Sequence, residues 1–181
     1  MVPVASIIVP TIGRLQFIDD TMQSVARQEF DEPLEVLVLD NESPPEAQRV
    51  FARWAASDPR IKILRTSPRI PMYTNFNRGI AAARAEFITF FHDDDIYGPH
   101  HLRRSVAALR EHPTAVFCGS NADFVDDQGT VIERRRWIQR SELVSGRKYI
   151  ERLLSRGRTM TTMPGIVYRR GAIARGFDDS L

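Results

Sequence analysis

The chain changes from apolar to acidic within one short stretch, FITFFHDDD, which spans residues 87–95. Its first five residues are apolar apart from one threonine, and His92, Asp93, Asp94 and Asp95 follow directly. A short, nearly continuous apolar run is typical of a strand that is buried on both faces of a parallel sheet. The stretch therefore predicts a central strand that delivers a histidine and three carboxylates to its carboxyl end.

Two earlier apolar runs end in polar residues in the same way. Residues 6–10 (SIIVP) lead into Thr11, with Arg14 just beyond, and residues 34–39 (LEVLVL) lead into Asp40. The segments between the runs repeat apolar residues at helical spacing. Strands that alternate with helices favour an α/β fold with a mostly parallel central sheet and helices on both faces.

The alternation extends over residues 1–120, and the pattern changes after that point. Residues 121–181 are predicted to contain a hairpin that turns at Gly129, a helix with Ser145 as its N-cap and a strand near residues 165–168. We therefore divide the chain at residue 120 into two functional parts.

Composition excludes several classes of protein. Of the 181 residues, 43% are hydrophobic and 27% are charged, which is ordinary for a globular domain and argues against disorder. A net charge of +2 gives no support to a nucleic-acid partner. No apolar run approaches the roughly 18 residues of a membrane span. The single cysteine, Cys118, is typical of a reducing compartment, so we expect a cytoplasmic protein, with peripheral association at the inner face of a membrane left open.

The carboxyl ends of parallel strands share one edge of a sheet, where ligands bind in open α/β folds. This rule brings the polar ends of the three runs together. Three adjacent carboxylates repel one another unless a cation compensates them, and oxygen ligands without cysteine favour Mg²⁺ or Mn²⁺. Magnesium usually completes its ligand shell with water and phosphate oxygens. The acidic run therefore indicates a metal–nucleotide diphosphate complex.

Other interpretations stay open at this point. Asp95 precedes a helix and is a candidate cap, and Asp40 is a candidate turn residue. The segment PTIGR, residues 10–14, is neither a dinucleotide fingerprint nor a P-loop, which argues against both of those chemistries. A nucleotidyltransferase-like metal enzyme would need a basic triphosphate loop after the first strand, where only Arg14 is present.

The ordered set of motifs resembles the family 2 glycosyltransferases of the GT-A fold, which have a Rossmann-like nucleotide-diphospho-sugar transferase architecture. The matching segments are SIIVPT (6–11), LEVLVLDNES (34–43), NRGI (77–80) with ARAEFI (83–88), FFHDDDIYGP (90–99) and GFDD (176–179). By this resemblance, residues 1–120 are the nucleotide-sugar-binding half, and residues 121–181 belong to the acceptor side.

The resemblance also implies roles for individual residues in binding the nucleotide sugar. Pro10 and Thr11 line the nucleotide pocket, Asp40 accepts a hydrogen bond from the imide N–H of uracil or thymine, and Asp93 lies near the ribose. Asn77 belongs to a matching motif and is a further candidate contact to the nucleotide sugar.

For the metal and the diphosphate, Asp94 is implied as the main cation ligand, and Asp95 as an addition to the acidic shell. The family places a basic residue near the diphosphate, and Arg14, Arg65 and Arg69 are the candidates for that position. The implied cofactor is Mg²⁺ or Mn²⁺.

Two departures from the family pattern affect these expectations. His92 stands where the family has the first aspartate of its D-x-D motif, so either Asp93 takes over that role or His92 contacts the ribose or the donor; a buried neutral histidine is the structural alternative. The family's catalytic base follows some residues after the segment matched by Gly176–Asp179. We therefore expect the base beyond Leu181, and weak or absent transfer by these 181 residues alone.

The implied function is the transfer of a hexose from a UDP- or dTDP-sugar to a saccharide or lipid-linked acceptor, with inversion and metal dependence, in bacterial cell-wall or polysaccharide synthesis. A non-catalytic nucleotide-sugar-binding fragment and a nucleotidyltransferase-like metal enzyme are the alternatives.

Overall fold

A computed structural model describes residues 1–157 and 161–178 of the chain. Strands and helices alternate as far as residue 119, as predicted. The elements are β1 (Ala5–Thr11), α1 (Ile18–Ala26), β2 (Leu34–Asp40), α2 (Pro45–Ser57), β3 (Ile61–Ile63), α3 (Met72–Ala82), β4 (Phe87–Phe90), α4 (His101–Glu111), β5 (Phe117–Gly119), β6 (Ala122–Val125), β7 (Val131–Arg135), α5 (Gly146–Arg156) and β8 (Ile166–Arg169).

Six strands form one sheet in the order β3-β2-β1-β4-β8-β5. The four strands from β3 to β4 are parallel, and β8 runs antiparallel to both of its neighbours. The prediction of a mostly parallel α/β sheet is confirmed. The strand predicted near residues 165–168 is also present, as β8, and it lies inside this sheet. The six-stranded sheet therefore takes strands from both sides of the division at residue 120.

Helices cover both faces of the sheet, which explains why its strands are apolar throughout. All seven residues of β1 are buried, and alternate residues enter different cores. Ile7 and Val9 pack in a cluster with residues of α1, α2 and α4, whereas Ile8 packs with Phe76 and Ile80 of α3. A Cβ at Gly79 would lie 2.7 Å from the Ile8 side chain, so glycine lets α3 approach the sheet closely.

The second part of the chain contains the predicted hairpin and helix. Strands β6 and β7 pair in antiparallel fashion around a turn in which Gly129 has a φ of 81°. Ser145 caps α5, because its hydroxyl accepts a hydrogen bond from the Lys148 backbone N–H at 3.3 Å. In the part of the chain that the structure describes, we find no helix with the length and apolar character that a membrane crossing requires.

Candidate active site

The carboxyl ends of β1, β2 and β4 meet at Thr11. Thr11 is the register partner of Asp40 on β2, and its hydroxyl donates a 2.6 Å hydrogen bond to Oδ2 of Asp93, which follows β4. The same hydroxyl oxygen accepts a hydrogen bond from the backbone N–H of Gly13 at 2.8 Å. All three of Thr11, Asp40 and Asp93 are at most 5% exposed. The edge where sequence reasoning placed a site therefore holds three buried residues, with Thr11 hydrogen-bonded to Asp93 and paired in register with Asp40.

A tight turn follows β4 and separates the acidic side chains. The backbone N–H of Asp95 donates to the His92 carbonyl at 3.2 Å, and the Thr21 hydroxyl of α1 donates to the Asp95 carbonyl at 2.9 Å. Asp93 points back to Thr11 and is buried, whereas Asp94 is exposed. The turn thus presents one carboxylate to the sheet and leaves the next one available.

One ligand atom from each of His92, Asp94 and Asp95 lies within 4.8 Å of the others. Burial, and then the nearby carboxylates of Asp94 and Asp93, raise the pKa of Asp95 to about 6. Burial also lowers the pKa of His92, which keeps its ring neutral. Two carboxylates and a neutral imidazole fit a divalent cation, since repulsion among the acids is what such an ion offsets.

Arg14 provides positive charge at this cluster. Its guanidinium forms an ion pair with Asp94, and its Nε lies 3.8 Å from Oδ1 of Asp93. The Arg14 side chain is 47% exposed, so it bridges the acidic turn and solvent. Gly13 has a φ of 81°, and an added Cβ would lie within 3 Å of Ser43, Pro44 and Ala47; the loop that carries Arg14 therefore packs closely against the start of α2.

The two other arginine candidates lie in the loop after β3. The guanidinium of Arg65 is 3.9 Å from Oδ2 of Asp40, whereas Arg69 contacts Glu42 through its backbone N–H, at 3.0 Å. Oδ1 of Asp40 accepts the Ser43 backbone N–H at 2.8 Å, so the turn role considered for Asp40 is present. Arg65 is thus placed at Asp40, and Arg14 at the acidic turn.

Asn41 is a site residue that sequence reasoning left without a role. Its side-chain oxygen accepts hydrogen bonds from the Ile70 backbone N–H and the Thr66 hydroxyl, both at 3.0 Å, and its amide donates to the Ile70 carbonyl at 2.9 Å. Asn41 therefore fixes the loop that carries Arg65 and Arg69. Its place directly after β2 was the available signal.

Asn77 has a different partner from the one that the resemblance implied. Its Nδ2 donates to the Phe177 carbonyl at 2.9 Å, and its Oδ1 accepts the Phe177 backbone N–H at 2.7 Å. The Phe177 ring packs against Tyr73, Phe76 and Phe90, with centroids 5.7 to 5.9 Å apart. Because both polar atoms of the amide are engaged, the structure favours a positioning role for Asn77 over contact with a nucleotide sugar. Asp179, the last residue of that matching motif, lies outside the described residues.

The known proteins that this chain resembles in sequence and structure include several glycosyltransferases. A Campylobacter jejuni GalNAc(5)-diNAcBac-PP-undecaprenol beta-1,3-glucosyltransferase is 34% identical over 94 residues, which cover 51% of this chain and 30% of that protein. The mannosyltransferase PcManGT from Pyrobaculum calidifontis, solved with GDP-Man and Mn²⁺, superposes with a TM-score of 0.69 at 18% identity, over 99% of this chain and 48% of that one. S. aureus TarS 1-349 in complex with UDP-GlcNAc superposes with a TM-score of 0.69 at 21% identity. The match covers 94% of this chain and 46% of the TarS chain.

These likenesses establish the GT-A fold for the six-stranded sheet and its helices. The chain spans about half the length of the solved proteins, and less than a third of the Campylobacter relative. The profile of the family described as "Glycosyl transferase family 2" matches residues 6–177. Since that match covers nearly all of the 181 residues, the chain belongs to glycosyl transferase family 2.

Proposed function

We propose that the carboxyl edge of the sheet binds a UDP- or dTDP-sugar with a divalent cation, for transfer of the sugar to an acceptor hydroxyl with inversion. The observation that carries this proposal is the network at Thr11. Thr11 is paired in strand register with Asp40 and hydrogen-bonded to Asp93. Beside it lies the cluster of His92, Asp94 and Asp95, which fits a cation. Pyrophosphate, nucleoside and cation each have a chemically suitable partner along this one edge.

The nucleoside contacts follow from the two buried aspartates. Oδ1 of Asp40 accepts the Ser43 backbone N–H. Oδ2 has no hydrogen bond from the described residues but lies 3.9 Å from the Arg65 guanidinium, and it accepts the imide N–H that uracil and thymine share. Asp93 is fixed by Thr11 and serves the ribose hydroxyls, while Pro10 and Thr11 form the wall of the nucleoside pocket. A fixed carboxylate binds better than a mobile one because less conformational entropy is lost.

The diphosphate half of the site combines a cation with an arginine. Asp94 and Asp95 are its oxygen ligands in this proposal, and Mg²⁺ or Mn²⁺ is the ion. When bound, the cation stabilises the negative charge that develops on the departing diphosphate. Arg14 adds positive charge at the same place, and Arg69 is the alternative if the loop after β3 closes over the nucleotide.

The named relatives support the chemical class of both substrates. PcManGT was captured with a nucleotide mannose and Mn²⁺, and TarS with a nucleotide N-acetylglucosamine. The name of the Campylobacter relative includes a lipid-linked saccharide. We therefore propose a hexose donor and a saccharide or lipid-linked acceptor, used in bacterial polysaccharide synthesis in the cytoplasm or at the inner face of the membrane.

Calorimetric titration of UDP in the presence of Mn²⁺ tests the proposal. Wild-type chain is expected to bind UDP more tightly with Mn²⁺ than with EDTA, and Asp94→Ala to lose at least tenfold of the Mn²⁺-dependent affinity. Asp127→Ala, at an exposed turn of the β6–β7 hairpin, is the matched control and retains wild-type affinity. Equal UDP affinity in wild type and Asp94→Ala would contradict the metal assignment.

Binding and transfer are separate parts of the proposal. Transfer with inversion needs a general base to accept the proton of the acceptor hydroxyl, and we assign that role to none of the site residues above. A donor-hydrolysis assay on UDP-sugars separates an active enzyme from a nucleotide-sugar-binding fragment. Release of UDP would support catalysis by these 181 residues, and binding without release would support the non-catalytic alternative.

A further inference from the structure

His92 occupies an unusual position for a histidine at a sheet edge. It follows β4 directly, and one of its ring nitrogens lies within 4.8 Å of carboxylate oxygens of both Asp94 and Asp95. Its ring centroid lies 6.0 Å from that of Phe76 on α3. The ring is therefore close to both an apolar side chain of α3 and the acidic turn.

The imidazole has a nitrogen that the protein does not satisfy. Nε2 of His92 is buried and has no hydrogen-bond partner among the described residues. A buried polar atom without a partner destabilises a fold, and such atoms are rare unless a ligand or water binds them. The unpaired nitrogen and the neighbouring carboxylates are independent observations, and both point to a bound cation.

The backbone around His92 is held in place. Its backbone N–H donates to the Tyr97 hydroxyl at 2.9 Å, and that hydroxyl in turn lies 3.4 Å from the Phe90 carbonyl. The Tyr97 ring stacks on Phe91 with a centroid separation of 3.3 Å. A ligand on a fixed backbone can bind a metal without first being ordered.

We propose that His92 is a nitrogen ligand of the divalent cation, together with Asp94 and Asp95, and that it makes the site prefer Mn²⁺ to Mg²⁺. This inference rests on the proposed function for the presence of a cation. Mg²⁺ is a hard ion that takes oxygen ligands and retains its waters, whereas first-row transition ions accept imidazole nitrogen.

Pulsed electron paramagnetic resonance of Mn²⁺ bound to the chain in the presence of UDP gives a direct test. Wild type is expected to show the ¹⁴N modulation of a directly bound imidazole. His92→Asn is expected to lose that modulation, whereas the matched control His100→Asn, at the half-buried N-cap of α4, keeps it. Circular dichroism establishes that each variant is folded. The wild-type spectrum itself decides the question if His92→Asn does not fold.

Metal competition tests the selectivity separately. Calorimetry with Mn²⁺ or Mg²⁺ alone is expected to give at least a tenfold preference for Mn²⁺ in wild type, and His92→Asp, which restores the family residue, is expected to reduce that preference to threefold or less.

Mn²⁺ that binds in an Asp94-dependent manner without ¹⁴N modulation would overturn the role of His92 and leave the proposed function intact. If wild type shows no ¹⁴N modulation and His92→Asn binds UDP more weakly than wild type in EDTA, His92 contacts the nucleotide and is not a metal ligand. No Mn²⁺ binding by wild type, with or without UDP, would overturn both proposals.

Discussion

The Thr11 hydroxyl donates a 2.6 Å hydrogen bond to the buried carboxylate of Asp93, and this contact connects the ends of β1 and β4. The two residues are 82 positions apart in the chain. The bond fixes Asp93 towards the sheet, away from the exposed Asp94, so adjacent carboxylates of the acidic run have different environments.

Thr11→Val is expected to destabilise the fold by about 1–3 kcal/mol, because it leaves a buried carboxylate without its hydroxyl donor. We also expect it to weaken UDP binding, since Asp93 becomes mobile. Thr11→Ser keeps the hydroxyl and serves as the control. Urea denaturation measures the stability and calorimetry the affinity; Thr11→Val with wild-type values in both would show that the bond has no role.

Arg14→Ala is expected to have opposite effects on the two ligands. With no cation bound, the guanidinium of Arg14 pairs with Asp94, and a metal must compete with it. Its removal should raise the affinity for Mn²⁺ alone by about two- to fivefold, the range of an exposed ion pair. UDP affinity at saturating Mn²⁺ should fall, because the diphosphate loses a positive partner.

Arg49→Ala is the matched control for this prediction, since Arg49 is exposed on α2 and pairs with Glu46. Titrations of Mn²⁺ alone, and of UDP at saturating Mn²⁺, measure the two affinities for each variant. A fall in both affinities for Arg14→Ala would show that Arg14 only stabilises the fold of the loop.

The sheet and the edge that carries the site were predictable from the sequence because both depend on local patterns. Apolar runs of strand length gave β1, β2 and β4, and the parallel arrangement then placed Thr11, Asp40 and Asp93 at one edge. The antiparallel insertion of β8 between β4 and β5 was not predictable, because a strand of four residues, IVYR, carries no signal for its partner.

The finer grouping within the site depends on geometry that a linear pattern does not contain. Asp93 and Asp94 are adjacent in sequence, yet a tight turn directs one to Thr11 and the other to Arg14. The same turn brings His92 to Asp94 and Asp95. The bonds from Asn41 to the loop after β3, and from Asn77 to Phe177, span 25 to 100 residues and leave no local signature.

The stability of the chain should depend on His101 at mildly acidic pH. Burial beside the stacked rings of Phe91 and Tyr97 lowers the pKa of His101 to about 4. An unfolded histidine titrates near 6.5, so protons bind the unfolded state first as the pH falls. The free energy of unfolding is therefore not reduced by this histidine above about pH 6.5. It falls progressively as the pH drops from about 6.5 towards 4, because the neutral ring of the folded chain must compete with protonation of the unfolded chain.

By this linkage, wild type should lose about 2 kcal/mol more stability between pH 7.5 and pH 5 than His101→Phe, in which the titrating group is absent. The difference between the two proteins isolates this histidine from the carboxylates that titrate in the same range. Urea denaturation at the two pH values measures it. Parallel stability profiles for the two proteins would show that His101 has the same pKa in the folded and unfolded chain.

Asn77→Ala is expected to release the segment at Phe177 without affecting the nucleotide site. The variant leaves the backbone N–H and carbonyl of Phe177 without partners, which should cost about 1–3 kcal/mol of stability. Because the amide is engaged by backbone and not directed at a ligand, UDP affinity with Mn²⁺ should stay within twofold of wild type. Asn77→Asp retains the acceptor oxygen but sets a second oxygen against the Phe177 carbonyl, so it should not restore the wild-type stability. A tenfold loss of UDP affinity in folded Asn77→Ala would instead restore the nucleotide-sugar contact that the motif resemblance implies.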